Sequence, residues 1–415
     1  MKFFSALCLV LAPIALTVAT AVDPALGDDQ GYGIYRAHPD ATQWHSLLLH
    51  WAWVLFVPGL LGLLIPIRKR GAVLARISWL AVVLGLVTFS ALMAFDFVLL
   101  ALEQNLPDGQ VAEVDTAFQG MDWAVAGWQF PGLIGWALAL LVTPVAAARA
   151  RVISWWTAGA ALLGAALYLL FAIEPLPLNI TGPVVLIGAY GVAAWQLLRH
   201  RSTDEPDTFG HFRHRLGQVC LYAAPIAFAG GMATVPDPTG DGADSLANPG
   251  LTQASAFLLH LGWVLFVPAV LALAERGRRF TRVTAWVAVI GLINFSALML
   301  GDYADLAARQ EVGAATADAM NETLGGYPLF AFGWVLPGMV LTFLGLLLVT
   351  LAAAYERVVS WWVPALTAAG LAGFFLLGLG PIGVVGPLLL LAGFGLAARG
   401  INRVAPVAEP APIAV

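Results

Sequence analysis

Long uninterrupted apolar runs recur along the whole chain and limit the structures that it can form. A helix needs about 20 apolar residues to cross the hydrocarbon core of a bilayer, whereas barrel strands would be about ten residues long and alternating. The runs that meet the helical requirement are 3–22, 46–66, 77–102, 124–147, 153–173, 180–198, 218–235, 254–273, 283–304, 328–350, 359–378 and 380–398. The sequence therefore predicts an all-α integral membrane protein with about twelve transmembrane helices.

Composition excludes several classes of protein. The chain is 60% hydrophobic and 11% charged, whereas a soluble domain is about 45–50% apolar and about 25% charged. A net charge of −5 provides no general positive field to attract nucleic acid. Two cysteines cannot form a disulfide framework or a thiolate metal cluster. The composition predicts the lipid bilayer as a partner, is compatible with a small-molecule solute, and identifies no protein partner.

The basic residues predict the orientation. Loops on the cytoplasmic side of a membrane protein carry an excess of Lys and Arg. Placing both termini in the cytoplasm puts every basic residue except Arg36 and Arg309 on that side. The preference for Arg over Lys, with abundant Ala and Gly, indicates a bacterial protein. We therefore expect an integral protein of the plasma (inner) membrane with a cytoplasmic N-terminus and C-terminus.

The chain contains an internal repeat. His50–Gly59 matches His260–Ala269 at most positions, and Phe89–Met93 recurs unchanged as Phe295–Met299. The separation is 210 residues for the first pair and 206 for the second, a difference that a loop can absorb. Self-similarity of this kind is typical of duplicated architectures.

The repeat predicts the domain organisation. We expect a first six-helix repeat over 1–198, a cytoplasmic linker over 199–217, a second repeat over 218–403 and a disordered cytoplasmic tail over 404–415. Six spans are an even number, so the two repeats should run in parallel about a pseudo-two-fold axis along the membrane normal.

The first apolar run has a second interpretation. Ala19, Thr20 and Ala21 resemble the cleavage site of a secretory signal. However, Cys8 and Pro13 match Cys220 and Pro225 of an internal span, which favours a retained helix. The sequence leaves open whether residues 1–21 are cleaved.

The topology resembles that of the major facilitator superfamily. Glu275–Arg279, after the eighth span, resembles the acidic–basic–glycine–basic pattern of that family's even loops. The matching loop, Ile67–Gly71, lacks the acid, and the outer loops after spans three and nine are longer than is usual in that family. The resemblance therefore concerns topology alone.

Four ionisable residues lie within predicted spans, where a central charge costs at least ~2.5–3.5 kcal/mol. They are His50 and Asp96, with the repeat equivalents His260 and Asp302. At 1.5 Å per residue, His50 lies roughly 6 Å and Asp96 roughly 9 Å below the outer edge of the bilayer. We therefore expect two intramembrane His–Asp pairs. Polar and aromatic residues near the same level could line a site: Trp53, Trp128, Gln129, Trp263, Asn294 and Trp334.

The pairs have three interpretations. They could satisfy each other and fix helix packing, or bind and release protons, because histidine titrates near neutral pH. Alternatively, His50 and His260 could meet at the axis and ligate a metal or the iron of a haem. No H-E-x-x-H or C-x-x-C motif supports the third interpretation.

These features favour a permease or secondary transporter for a small solute, coupled to protons through the His–Asp pairs. The apolar midplane favours a lipophilic solute. The alternatives are a non-catalytic membrane scaffold, sensor or assembly factor, and a membrane-embedded metal or haem enzyme with an outward-facing site. The lack of a catalytic motif favours a protein that is not an enzyme.

Overall fold

The computed structural model describes residues 2–27, 31–201, 206–236 and 242–402. The expected tail over 404–415 and part of the expected linker, 202–205, lie outside these ranges. The described residues form helices and connecting loops, with no strand among them. This confirms an all-helical chain.

Ten helices in the described ranges are long and apolar enough to cross a membrane, and two shorter apolar helices lie among them. In chain order the twelve are α1 (Lys2–Ala21), α2 (Pro39–Leu64), α3 (Ala72–Asn105), α4 (Asp122–Arg149), α5 (Trp155–Phe171), α6 (Thr181–Arg199), α7 (Thr208–Thr234), α8 (Pro249–Arg276), α9 (Arg279–Val312), α10 (Pro328–Tyr355), α11 (Trp362–Leu377) and α12 (Pro381–Ile401). The shorter helices are α5 and α11. The chain is therefore a multi-pass membrane protein, and the expectation of twelve spans stays a prediction.

Two helix starts differ from the expected positions. Helix α2 begins at Pro39, in the first helical turn, where proline fits because its missing N–H would have no helical partner. Helix α7 begins at Thr208, within the expected linker, because the Asp207 side chain accepts a hydrogen bond from Gly210 N at 2.7 Å. The helical part of the chain therefore extends beyond its apolar runs.

Charge divides the bundle into two ends. We call one end the basic end, which carries Lys2, Arg68, Lys69, Arg70, Arg149, Arg199, Arg276 and Arg278. We call the other the acidic end, which carries Asp23, Asp96, Glu103, Asp108, Asp305 and Asp318. Helices α1, α2 and α6 pack together, as do α7, α8 and α12. Helix α3 packs on α4, and α9 packs on α10.

Glycine permits the closest helix contact. A Cβ atom added to Gly85 of α3 would lie 2.2 Å from the Cα atom of Gly135 in α4. We call α1 to α6 the first part of the chain and α7 to α12 the second part. In the second part, a Cβ atom on Gly291 of α9 would lie 2.2 Å from the backbone nitrogen of Thr342 in α10. Small residues at such crossings let two backbones approach closely.

Loop helices link the two parts of the chain at the acidic end. Asp108–Gln119 packs against the last turns of α9, and Ala314–Gly326 packs against the last turns of α3. Each connection after a long helix therefore contacts the other part of the chain.

Several helices contain irregular turns near the centre of the bundle. Residues Val125–Gln129 of α4 and Ala331–Val335 of α10 are π-helical. Helix α3 is interrupted at Met93, and α9 tightens to a 3₁₀ turn over Ala297–Met299. Side chains can insert into the backbone bonding of a helix at such positions. The irregular turns surround the residues described next.

Candidate functional site

His50 of α2 is fully buried between the two parts of the chain. Its Nδ1 atom lies 3.0 Å from the carbonyl oxygen of Ser90 in α3, and its Nε2 atom lies 2.9 Å from Oδ1 of Asn294 in α9. The ring stacks on Trp334 of α10, with centroids 3.5 Å apart and planes inclined by 17°. The Trp334 Nε1–H in turn donates to the Asn294 carbonyl at 3.1 Å. His50 therefore joins α2 to α9 and α10.

His260 of α8 makes the equivalent contacts, from the second part of the chain to the first. Its Nδ1 atom lies 3.1 Å from the Ser296 carbonyl oxygen, and its Nε2 atom lies 3.1 Å from Thr88 Oγ1. The ring stacks on Trp128, with centroids 3.7 Å apart and planes inclined by 20°. The Trp128 Nε1–H donates to the Thr88 carbonyl at 3.0 Å. We call the two sets of residues together the His–Trp exchange.

The two histidines differ in their hydrogen-bonding partners. The Ser90 carbonyl can only accept, so it fixes a proton on Nδ1 of His50. The Asn294 Nδ2 atom donates to the Ile290 carbonyl at 2.8 Å, which turns Oδ1 toward His50. In this orientation the amide oxygen can only accept a hydrogen bond, so a bond to His50 requires a second proton, on Nε2. With a neutral His50 the amide must turn over so that its NH₂ group donates to Nε2. Each orientation of the Asn294 amide therefore suits a different proton content of His50.

His260 lacks this coupling. The Thr88 hydroxyl can donate to Nε2 while Nδ1–H donates to the Ser296 carbonyl. A neutral His260 is thus fully satisfied without any rearrangement. The two histidines are therefore alike in their stacking and differ in the partner of Nε2.

The expected pairing of His50 with Asp96 is not formed. A different histidine, His45, lies beside Asp96, with Nε2 and the carboxylate oxygen 3.8 Å apart. The same Nε2 atom lies 3.7 Å from Asp23, and Nδ1 lies 2.9 Å from the Ala19 carbonyl. The expected pairing rested on similar depths of His50 and Asp96 along their helices. Depth does not determine which face of α2 lies toward Asp96. The sequence analysis missed His45 because the residue falls just before the expected span 46–66.

The expected pairing of His260 with Asp302 is not formed either. Asp302 is exposed at the acidic end, while the His260 ring bonds within the His–Trp exchange. The position that matches His45 is held by Ser255, whose hydroxyl donates to the Gly231 carbonyl at 2.9 Å. A histidine–carboxylate cluster is therefore present beside Asp96 and not beside Asp302.

The expected lining residues separate into two groups. Trp128, Asn294 and Trp334 belong to the His–Trp exchange. Trp53 and Trp263 are buried in aromatic clusters, 5.5 Å from Phe89 and 5.0 Å from Phe295 between ring centroids. Gln129 lies apart from both groups, and its Nε2–H donates to Gln119 at 3.0 Å. The sequence analysis missed Thr88 as a partner of His260, although its repeat equivalent, Asn294, was selected.

The two arginines expected outside are held by carboxylates at the acidic end. Arg36 donates to the Glu103 carbonyl at 2.6 Å and to the Asp108 carboxylate at 3.0 Å. Arg309 donates to Asp305 and Asp318, each at 2.7 Å. Both arginines therefore fix the loop helices in place.

A metal or haem site at the histidines has no support from this geometry. Both ring nitrogens of His50 and His260 face protein oxygens, so ligation of iron would require those contacts to break. Among the described residues, no group of three or more His, Cys, Asp and Glu is placed to hold a metal ion. The described arrangement joins helices from the two parts of the chain.

Comparisons of the chain with protein-family models, curated proteins and solved structures found no match.

Proposed function

We propose that the helices form two parallel six-helix repeats, over 1–198 and 218–403, related by a pseudo-two-fold axis along the membrane normal. The contacts that recur in both parts support this arrangement: histidine to a serine carbonyl, tryptophan to a carbonyl, and a π-helical turn at 206 residues' separation. On this view α5 and α11 are short spans. The positive-inside rule places the basic end and both termini in the cytoplasm of a bacterial inner membrane.

We further propose that the protein is a proton-coupled permease for a small, lipophilic solute. The observation that supports this function is the His–Trp exchange, in which each repeat inserts a titratable ring against the other. A route between two parallel repeats would pass through these contacts, and rocking of one repeat against the other would break and remake them. The apolar interior favours a solute that needs few polar contacts.

The coupling would come from His50. Separation of the repeats removes Asn294 from Nε2 and exposes the ring, so proton exchange accompanies opening. In the closed state the amide of Asn294 has one orientation for each proton content of His50. The proton therefore biases the equilibrium between two conformations, which is the requirement for a ligand that drives a change of state.

Cysteine accessibility tests the opening without knowledge of the solute. In a background with Cys8 and Cys220 replaced by Ala, we would introduce Ser90→Cys at the exchange. The matched control is Ser5→Cys, which is equally buried but packs against Gly62 within the first repeat. We expect a membrane-impermeant maleimide to label Ser90→Cys in proteoliposomes at a rate that depends on pH, while Ser5→Cys stays unlabelled. Equal protection of both cysteines at every pH would contradict the permease and favour a static scaffold.

Proton flux tests the coupling. Proteoliposomes with a trapped pH-sensitive dye would be exposed to a panel of lipophilic weak bases and acids. We expect at least one solute to change the internal pH with the native protein, and His50→Gln to abolish that change. Trp53→Phe, which alters a buried ring outside the exchange, should retain it. A flux that survives in His50→Gln would refute the coupling.

A further inference from the structure

Two adjoining grooves at the basic end are lined by positive side chains. The larger, of about 840 Å³, lies between α4, α5 and α6 and is lined by Arg70, Arg151 and Arg199 among others. The smaller, of about 630 Å³, is lined by Lys69, Arg70 and Arg149 and by the start of α3. Arg70 belongs to both. Among the described residues that line them there is no carboxylate, so the grooves favour an anionic occupant.

The second part of the chain holds an anion of its own at the matching place. The Glu356 carboxylate, just after α10, accepts hydrogen bonds from the backbone N–H groups of Arg278 and Phe280 and from the Thr281 hydroxyl. The distance to Phe280 N is 2.9 Å and that to Thr281 Oγ1 is 2.7 Å. A carboxylate therefore neutralises the start of α9.

In the first part of the chain the equivalent of Glu356 is Ala150, 206 residues earlier. Its methyl group lies beside Gly71, 3.6 Å from the position of a Cβ atom on that glycine. The matching start of α3 forms a wall of the smaller groove, with Lys69 and Arg149 around it. The first part therefore has basic residues around the start of α3, but it has Ala150 where the second part has the carboxylate of Glu356.

The aromatic residues of the larger groove indicate where its occupant comes from. Trp155, Trp156 and Trp195 line it and are 59%, 90% and 52% exposed. Exposed tryptophans at the ends of apolar helices lie at the level of lipid headgroups. The groove therefore opens toward the bilayer interface.

One of these positive side chains, that of Arg199, is held in place by an aromatic ring, and the backbone of a second, Arg151, is fixed at a helix end. The Arg199 guanidinium lies 4.2 Å from the centroid of the Trp195 ring, a cation–π contact. Arg151 ends α4 with φ of 61°, a left-handed position that favours glycine. Its N–H donates to the Ala148 carbonyl at 3.0 Å, which completes the helix end.

We propose that these grooves bind the phosphate headgroup of an anionic phospholipid, with Arg151 and Arg199 around the phosphate and the tryptophans beside the glycerol and upper acyl chains. Basic pockets between helices on the cytoplasmic side are a known form of headgroup recognition. The site is independent of the His–Trp exchange, although its assignment to the cytoplasmic leaflet rests on the orientation proposed above.

Native mass spectrometry of the full chain tests this site. The protein would be exchanged into vesicles of equal parts phosphatidylglycerol and phosphatidylcholine, and the lipid retained after extraction would be counted. We expect retention of phosphatidylglycerol, reduced roughly tenfold or more in Arg151→Gly/Arg199→Gln, because this variant removes both guanidinium groups proposed to lie around the phosphate. The control Arg279→Gln/Arg357→Gly removes the same charge from the other repeat and should retain the lipid. An equal loss in both variants would refute the site.

A second variant keeps every basic residue. Ala150→Glu introduces the carboxylate of the other repeat and should displace phosphatidylglycerol without loss of the fold, which thermal unfolding would verify. Inorganic phosphate distinguishes the sources of the anion: a lipid site retains phosphatidylglycerol in its presence, whereas a site for soluble phosphate releases it. Release by phosphate, or undiminished retention in Ala150→Glu, would overturn the proposal.

Discussion

The His50 ring and the Asn294 side chain lie 2.9 Å apart, although 244 positions separate them along the chain. The contact joins α2 to α9 and has a counterpart between His260 and Thr88. Two reciprocal contacts of this kind restrict both the distance and the rotation between the two parts of the chain. These polar contacts therefore fix the position of one part relative to the other, while apolar packing stabilises each part by itself.

The asymmetry between Asn294 and Thr88 predicts where the proton is coupled. Asn294→Thr gives His50 a hydroxyl partner like that of His260, so a neutral ring is satisfied and we expect proton flux to be lost. The double variant Asn294→Thr/Thr88→Asn moves the amide to the other histidine and should restore proton flux through His260. Proteoliposome flux measures both variants. Full flux in Asn294→Thr alone would show that the amide has no part in coupling.

The stacked tryptophans predict a measurable loss of stability. Trp334→Phe removes an indole N–H bond and part of a stack, which together should lower the free energy of unfolding by about 1–3 kcal/mol. Trp128→Phe should have a similar effect because its contacts are equivalent. Trp156→Phe is the control, since that ring is 90% exposed. Thermal unfolding in one detergent compares the three, and equal melting temperatures would contradict the role of the stacks.

The sequence predicted the apolar helices better than the pairing of the polar residues that they carry. Apolar length follows directly from the bilayer, so α8 and α9 lie where they were expected. The pairing of His50 depended on two features that no local pattern encodes. One is the irregular turn at Met93, near the carbonyl that His50 contacts. The other is the crossing of the two parts of the chain, which brings Asn294 and Trp334 to α2.

The aspartates Asp96 of α3 and Asp302 of α9 should behave differently when neutralised. Asp96→Asn removes the carboxylate that lies 3.8 Å from His45 Nε2, and we expect a loss of stability of at most about 1 kcal/mol from this partly exposed polar contact. Asp302→Asn changes an exposed side chain and should leave stability unchanged. Melting temperatures of the two variants near neutral pH test this difference. A larger effect of Asp302→Asn would indicate that the second aspartate has a partner in the membrane-embedded protein.

His200 predicts a loss of stability in acid. Burial and the nearby Lys2 lower the pKa of His200. The folded protein then binds this proton less readily than the unfolded chain, so the contribution of the neutral ring is present above about pH 6.5 and is lost as the pH falls through the folded pKa. We expect His200→Gln to lessen the fall in melting temperature below that pH. Lys69→Gln, which removes a basic residue not involved in the shift, should show the native pH profile.

The contact between Gly85 and Gly135 predicts the steepest response to a single methyl group. A Cβ atom at Gly85 would meet the Gly135 backbone at 2.2 Å, so α3 and α4 must separate in Gly85→Ala. Overpacking of this kind costs about 1–3 kcal/mol. Gly188 of α6 has open space around its added Cβ atom, so Gly188→Ala should be neutral or stabilising by up to about 1 kcal/mol. Because α3 carries Thr88 and Ser90, its displacement should also disturb both histidines, and labelling of Ser90→Cys should rise in the Gly85→Ala background. Unchanged labelling together with unchanged stability would mean that the two helices are not packed as described.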